Sequence, residues 1–137
     1  MSLFNVLDVA GSGMSAQSIR LNTTASNLAN ADSVSSSIDT TYRARHPVFA
    51  AQFDSAMRDQ SAVPVEVKGI VESDKPLIRQ YDPEHPMADE QGYIFKPNVN
   101  TVEEMADMMS ASRSYQTNVQ IADAAKQMLN RTLQLGK

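Results

Sequence analysis

Proline is confined to the middle of this chain, and its distribution limits what the chain can fold into. All six prolines lie from Pro47 to Pro97, so residues 2–31 and 101–135 contain none. Inside a helix, proline removes a backbone hydrogen bond and clashes with the preceding turn. Both ends are therefore predicted to be long helices. They can pack together only if the chain doubles back.

A stripe of apolar or small residues runs along the N-terminal segment, at spacings that mostly alternate between four and three. Such spacing is typical of a helix that packs along one seam against another helix. Asp8 and Arg20 are the only charged side chains in residues 2–31, whereas a solvated helix normally has a charged outer face. We therefore expect this helix to be covered on more than one side. The stripe comprises Leu3, Leu7, Ala10, Met14, Leu21, Ala25 and Leu28.

Two glycines, Gly11 and Gly13, lie inside this predicted helix. Each lowers helix stability by roughly 1 kcal/mol relative to alanine. We expect them to mark a bend or a close contact with another helix.

The C-terminal segment has a recognisable helix start. Thr101 and Glu104 match the capping box, in which each side chain binds the other residue's backbone N–H. Lys126 and Arg131 near the far end suit the helix dipole, and Gly136 is expected to close the helix. At 1.5 Å per residue the two helices would measure roughly 40 and 50 Å and can pack antiparallel. The apolar positions are Met105, Met108, Met109, Tyr115, Val119, Ala122, Ala125, Met128, Leu129 and Leu133.

The middle of the chain favours short strands. A serine-rich, polar run at residues 32–39 is predicted to be a linker. Strand candidates follow at residues 48–53, 63–71, 77–81 and 93–95, with prolines at or near their starts. We predict a hairpin or two resting on the helices.

The predicted fold class is mainly α with a small β-rich insertion. An N-terminal helix occupies residues 1–31, a linker and β-rich region residues 32–100, and a C-terminal helix residues 101–137. The first and last of these regions are expected to form an antiparallel, coiled-coil-like pair.

Composition excludes several functions. The net charge of -4 and the scattered 12 Lys and Arg residues argue against a nucleic-acid binder, which would need a clustered basic face. The absence of cysteine excludes disulfides and thiolate metal sites. The amino terminus lacks the pattern of a secretory signal, and no apolar run approaches the roughly 18 residues of a membrane span. If this protein leaves the cytoplasm, we expect it to use another route.

Sequence patterns that would indicate a catalytic or metal-binding site are weak in this chain. His46 and His85 each precede a proline and have no recognisable partner pattern. The acid-rich residues 82–92 lack the alternating ligands of an EF-hand and favour a rigid turn. No phosphate-binding loop, nucleophile elbow or HExxH motif occurs. We predict no catalytic, cofactor-binding or metal-binding residues, and no cofactor.

Both ends of the chain resemble one protein family, the axial proteins of the bacterial flagellar rod and hook. The N-terminal signature lies in residues 11–17, Arg20 and residues 26–31, and the C-terminal signature in residues 96–100, 103–105 and 112–118. Residues 41–45, 47–49, 83–86 and 92–93 are most similar to the proximal-rod members of this group. The serine-rich run departs from the compact turn of many relatives at that place.

The resemblance implies a structural subunit of the proximal rod, the drive shaft that crosses the periplasm and carries torque from the ring and motor to hook and filament. It implies export through the flagellar type III apparatus without a cleavable signal. The implied partners are rod proteins of the FlgB, FlgF and FlgG types, the rod-base adaptor FliE and further copies of the chain itself.

The resemblance also implies which residues matter. The assembly seam would use Leu3, Leu7, Met14, Leu21 and Leu28 of the first helix, and Met105, Met108, Tyr115, Val119 and Leu129 of the second. Helix ends and turns would be held by Asn27, Asn30, Asn98 and Asn100.

Two other classes of function remain open at this point. A cytoplasmic α-helical hairpin adaptor or export chaperone would be a well-folded oligomer by itself. An enzyme would show acids or histidines converging on a polar pocket.

Overall fold

The computed structural model describes residues 2–52 and 63–136. Two helices of 27 and 35 residues lie at the ends, and four strands and a short 3-10 turn lie between them. The prediction of a mainly α fold with a small β-rich insertion is confirmed. The elements are α1 (Leu3–Ala29), the 3-10 turn (Ile38–Thr40), β1 (Arg45–Ala51), β2 (Val65–Glu72), β3 (Ile78–Tyr81), β4 (Tyr93–Lys96) and α2 (Thr101–Leu135).

The two helices pack against each other in antiparallel orientation. Arg20 binds Asp107, while Gly13 lies against Asn118, so the contacts move toward the start of α2 as α1 proceeds. A Cβ atom on Gly13 would lie 2.7 Å from the side-chain nitrogen of Asn118. The expected close helix contact is thus confirmed at Gly13. Gly11 has no atom within 4 Å of such a Cβ, so it marks no close contact.

The middle region forms two separate two-stranded sheets, and the prediction of a hairpin or two is confirmed. Strands β1 and β2 pair antiparallel with a register shift between Val48 and Phe49, and β3 and β4 pair antiparallel in continuous register. The first strand begins earlier than predicted, at Arg45, while Phe53 lies outside the described residues. Both β1 and β2 contact α1, which confirms that this helix is covered by more than α2 alone.

The start of α2 differs from the predicted capping box. Asn100 is the N-cap, and its Oδ1 accepts hydrogen bonds from the backbone N–H groups of Val102 (3.1 Å) and Glu103 (3.4 Å). Thr101 is already the first helical residue, and Glu104 is buried. The capping-box assignment was wrong because asparagine is itself a strong N-cap, one residue earlier.

The apolar core is built mainly from small side chains. Among the described residues, the buried apolar set has only three members larger than alanine, which are Ile94 and Phe95 in β4 and Pro97 just after it. Alanine supplies the rest of the set, which lets backbones approach closely but buries little apolar area per residue. The alanines are Ala10, Ala16, Ala44, Ala111 and Ala125.

Candidate assembly interface

The predicted leucine stripe of α1 lies at the margin of the contact within the chain. Leu3, Leu7, Met14, Leu21 and Leu28 are all half-buried. At 100° per residue, the fully buried positions of α1 are centred roughly 100° away from this stripe. The intrachain contact therefore leaves one side of the stripe uncovered. The fully buried positions are Ala10, Ala16, Thr23, Thr24 and Asn27.

The predicted seam of α2 divides in the same way. Met108, Val119 and Leu129 are half-buried, whereas Met105 is 59% exposed and Tyr115 is exposed as well. Met105 therefore lies outside the contact between the two helices of one chain, and its place in the assembly seam stays a prediction. The side of α2 that packs inward passes through Glu104, Ala111 and Ala125, and Met105 lies about 100° from Glu104 around the axis.

Large apolar side chains face solvent at the start of α2. Val102, Met105 and Met109 share one side of the helix and are 74%, 59% and 62% exposed. A contiguous exposed apolar surface on a folded protein marks a site of interaction. Methionine suits such a surface because its flexible thioether adapts to differently shaped neighbours.

The end of α2 presents a second apolar surface. With Gly13 opposite Asn118, an antiparallel partner of equal rise places Leu3 opposite about residue 128, so about seven residues of α2 extend beyond α1. Met128, Leu133 and Leu135 in this part of the helix are all exposed. Both apolar surfaces of α2 thus lack a covering element among the described residues.

Asn27 joins the end of α1 to the start of β1. Its side chain is fully buried. The Oδ1 atom accepts hydrogen bonds from the Arg45 backbone N–H and the Tyr42 hydroxyl, both at 2.9 Å, and Nδ2 donates to the Arg45 carbonyl at 2.8 Å. One amide therefore fixes both backbone groups of the first strand residue.

Asn98 holds the other side of the same hairpin base. Its Oδ1 accepts from the Ala44 backbone N–H at 2.8 Å, and its Nδ2 donates to the carbonyls of Ser73 (3.2 Å) and Lys75 (2.7 Å). The Ser73 backbone N–H in turn donates to the Ala44 carbonyl at 2.7 Å. The β1–β2 hairpin is thus fastened at its base by two amides, one near the end of α1 and one two residues before the N-cap of α2.

Asn30 closes α1. It is the C-cap residue, its Nδ2 donates to the Ser26 carbonyl at 2.8 Å, and its own carbonyl accepts from the Ser33 hydroxyl at 2.8 Å. The predicted residues Asn27, Asn30, Asn98 and Asn100 accordingly all lie at helix ends or turns. Sequence reasoning missed Tyr42 as a partner of Asn27, since nothing in the sequence links the two positions.

The acid-rich turn joins β3 to β4. Asp89 Oδ1 accepts from the backbone N–H groups of Gln91 (2.9 Å) and Tyr93 (2.8 Å), and Gly92 adopts a positive φ of 82°. The turn leads into an aromatic cluster, in which the Arg79 guanidinium lies 3.7 Å from the Tyr93 ring centroid. These contacts are those of a structural turn.

Across residues 2–52 and 63–136, no group of three or more His, Asp or Glu side chains could hold a metal ion. None of the helices in that part of the chain has the length and apolarity needed to cross a membrane.

Comparison with known proteins decides the family. The family model described as "Flagella basal body rod protein" matches residues 7–35, and the model described as "Flagellar basal body rod FlgEFG protein C-terminal" matches residues 90–135. The flagellar basal-body rod protein FlgC of Salmonella typhimurium strain LT2 is 47% identical over 137 residues, covering 100% of both chains. The chain belongs to the FlgC family of flagellar basal-body rod proteins.

Other FlgC proteins align with the chain over its whole length. Those of Escherichia coli O6:H1 strain CFT073 and Aquifex aeolicus strain VF5 are 46% and 45% identical, and each alignment covers all of this chain and 100% and 99% of the relative. As a member of the FlgC family, the chain is a structural rod protein. The alternative of a cytoplasmic adaptor or export chaperone is not favoured.

Proposed function

We propose that this chain assembles into the proximal part of the flagellar rod through α1 and α2, and that the rod carries torque across the periplasm as a drive shaft. The observation that supports this most is the row of large apolar side chains exposed on α2, at Val102, Met105 and Met109. Together with the half-buried leucine stripe of α1, they give each chain apolar surface for neighbouring helices.

The same proposal covers how the chain reaches the rod and what it meets there. Export proceeds through the flagellar type III apparatus without a cleavable signal. The neighbours are further copies of the chain, rod proteins of the FlgB, FlgF and FlgG types, and FliE. Catalysis has no part in this function, because stiffness and packing are what torque transmission requires.

The asparagine contacts give the proposal a mechanical element. Asn27 fastens the β1–β2 hairpin to α1, and Asn98, two residues before the N-cap of α2, binds backbone groups at the hairpin base. Such bonds are directional and resist rotation of the hairpin about its base. Torque that reaches the hairpin from a neighbour would therefore pass into the helices.

Deleting the gene in the source bacterium and imaging purified basal bodies by electron microscopy tests the proposal. We expect rings without a rod, and restoration of the rod when the gene is supplied on a plasmid. Complete rods with normal filaments in the deletion strain would contradict a structural role in the rod.

A further inference from the structure

Glu104 is a buried carboxylate with an incomplete set of hydrogen bonds. Its side chain lies on the inward side of α2 and the residue is 3% exposed, while its Oε2 has no hydrogen-bond partner among the described residues. A buried polar atom without a partner is costly. Because Asn100 caps α2, Glu104 is not needed to satisfy the helix start. The Oε2 atom therefore needs a hydrogen-bond donor, and no described residue provides one in this arrangement.

Arg20 is a donor on the adjacent helix. Its Nη2 lies 2.6 Å from Asp107 Oδ1. Asp107 follows Glu104 by three residues on α2, so their Cβ atoms are about 5–6 Å apart on the same side of the helix. A guanidinium carries five N–H donors and can serve two carboxylates in turn.

Asp107 and Glu104 differ in their accessibility to groups outside the chain. The side chains of Arg20 and Asp107 are 26% and 36% exposed, so Asp107 is open to groups outside the chain, whereas Glu104 is enclosed. A cation arriving from a neighbouring molecule could therefore bind Asp107 but not Glu104. Arg20 is the group that connects the two sites.

We propose that Glu104 is the second partner of Arg20, which transfers from Asp107 to Glu104 when Asp107 binds a lysine or arginine side chain of a neighbouring subunit. The neighbour in this inference rests on the proposed assembly into the rod. The exchange satisfies the orphaned carboxylate oxygen only when the neighbour is in place. It thereby links subunit contact to tighter packing of α1 on α2.

A double-mutant cycle on the purified full chain tests the exchange without the rod. Asp107→Asn, Glu104→Gln and the double variant are compared by urea unfolding, with Glu103→Gln, which removes only an exposed ion pair with Lys75, as the control in the same turn. Arg20 retains one carboxylate in either single variant and none in the double variant. We expect the unfolding constant of the double variant to exceed the product of the single effects by about tenfold. Additive effects would overturn the exchange.

Counting rods in cells that carry the same variants tests whether a neighbouring subunit supplies a cation that binds Asp107. Asp107→Asn is expected to leave the purified chain folded and yet to reduce the number of basal bodies with complete rods, while Glu103→Gln leaves that number unchanged. Normal rod numbers with Asp107→Asn would overturn the role of the neighbouring cation. If urea unfolding of the purified chain is not cooperative, the cycle is measured on rod numbers, and multiplicative effects there overturn the exchange.

The two proposals fail in different ways. Rods that persist after deletion of the gene contradict the proposed function and leave the cycle on the purified chain interpretable. Additive unfolding effects contradict the exchange and leave the deletion result unaffected.

Discussion

Gly13 and Gly11 stand two positions apart in α1 and differ in what surrounds them. Gly13 lies against the Asn118 side chain, and an added Cβ would come within 2.7 Å of it, whereas Gly11 faces open space. The same chemical change at these two positions therefore separates helix propensity from helix packing.

Alanine substitution should act in opposite directions at the two glycines. We expect Gly11→Ala to stabilise the chain by about 0.5–1 kcal/mol, since alanine is the better helix former and nothing obstructs it. Gly13→Ala should be destabilising by about 1 kcal/mol, because the Asn118 side chain must leave its present position in the helix contact. Urea unfolding of both variants measures this. Equal stabilisation by the two changes would show that α2 does not approach Gly13 closely in solution.

Asn27 is the buried residue on which the hairpin base depends most. Replacing it with alanine leaves the Arg45 backbone N–H, the Arg45 carbonyl and the Tyr42 hydroxyl without their present partner. We expect Asn27→Ala to lower the free energy of unfolding by about 3 kcal/mol and to speed hydrogen exchange in β1. Asn22→Ala, at an exposed position of the same helix, is the control. Unchanged exchange in β1 would argue against Asn27 as the joint.

At the scale of the elements, α1 and α2 each carry more apolar surface than their mutual contact covers. The leucine stripe of α1 lies at the edge of this contact, and Met105 and Met109 of α2 lie outside it. Small residues at the centre allow the close approach at Gly13. The larger side chains around it remain available to further helices.

Aspartate in either predicted seam should block assembly. Leu21→Asp and Val119→Asp each put a charge among apolar groups that we propose become buried between subunits, and such burial costs several kcal/mol. Swimming on soft agar and rod counts should both fall sharply. The controls Asn22→Asp and Gln120→Asp add the same charge at neighbouring exposed positions and should swim normally. Normal swimming with Leu21→Asp or Val119→Asp would contradict the seam assignment.

At the scale of the whole molecule, the isolated chain buries few large side chains outside β4. Ordering its helices costs roughly 1–2 kcal/mol of backbone entropy per residue, which a core of alanines offsets poorly. Neighbouring subunits would add the missing apolar contacts. Stability of the ends is thus expected to depend on assembly.

Hydrogen exchange on the purified chain checks this expectation. At low concentration the amides near the start of α1 and the end of α2 should exchange quickly, while those of β4 and the hairpin base, with buried hydrogen bonds, exchange more slowly. The same terminal amides should become protected in assembled rods. Strong protection of both ends in the dilute monomer would refute ordering on assembly.

The sequence by itself determined the elements of this protein, because the signals that specify them are local. Proline-free ends, helical spacing and short alternating runs predicted two helices and a hairpin or two, and paired signatures at opposite ends indicated the flagellar family. Local chemistry did not decide the start of α2. Asn100 and Thr101 are both good N-cap residues, and Asn100 occupies the N-cap position in the structure.

Only the tertiary structure decided how the helices are rotated against each other. An apolar stripe shows which side of a helix avoids water, but it does not show whether the cover comes from the same chain or from another. The close approach at Gly13 and the hydrogen bonds of Asn27 set the rotation of α1, which moves its leucines to the edge of the contact. These contacts join residues that lie far apart in the chain, so local sequence patterns cannot predict them.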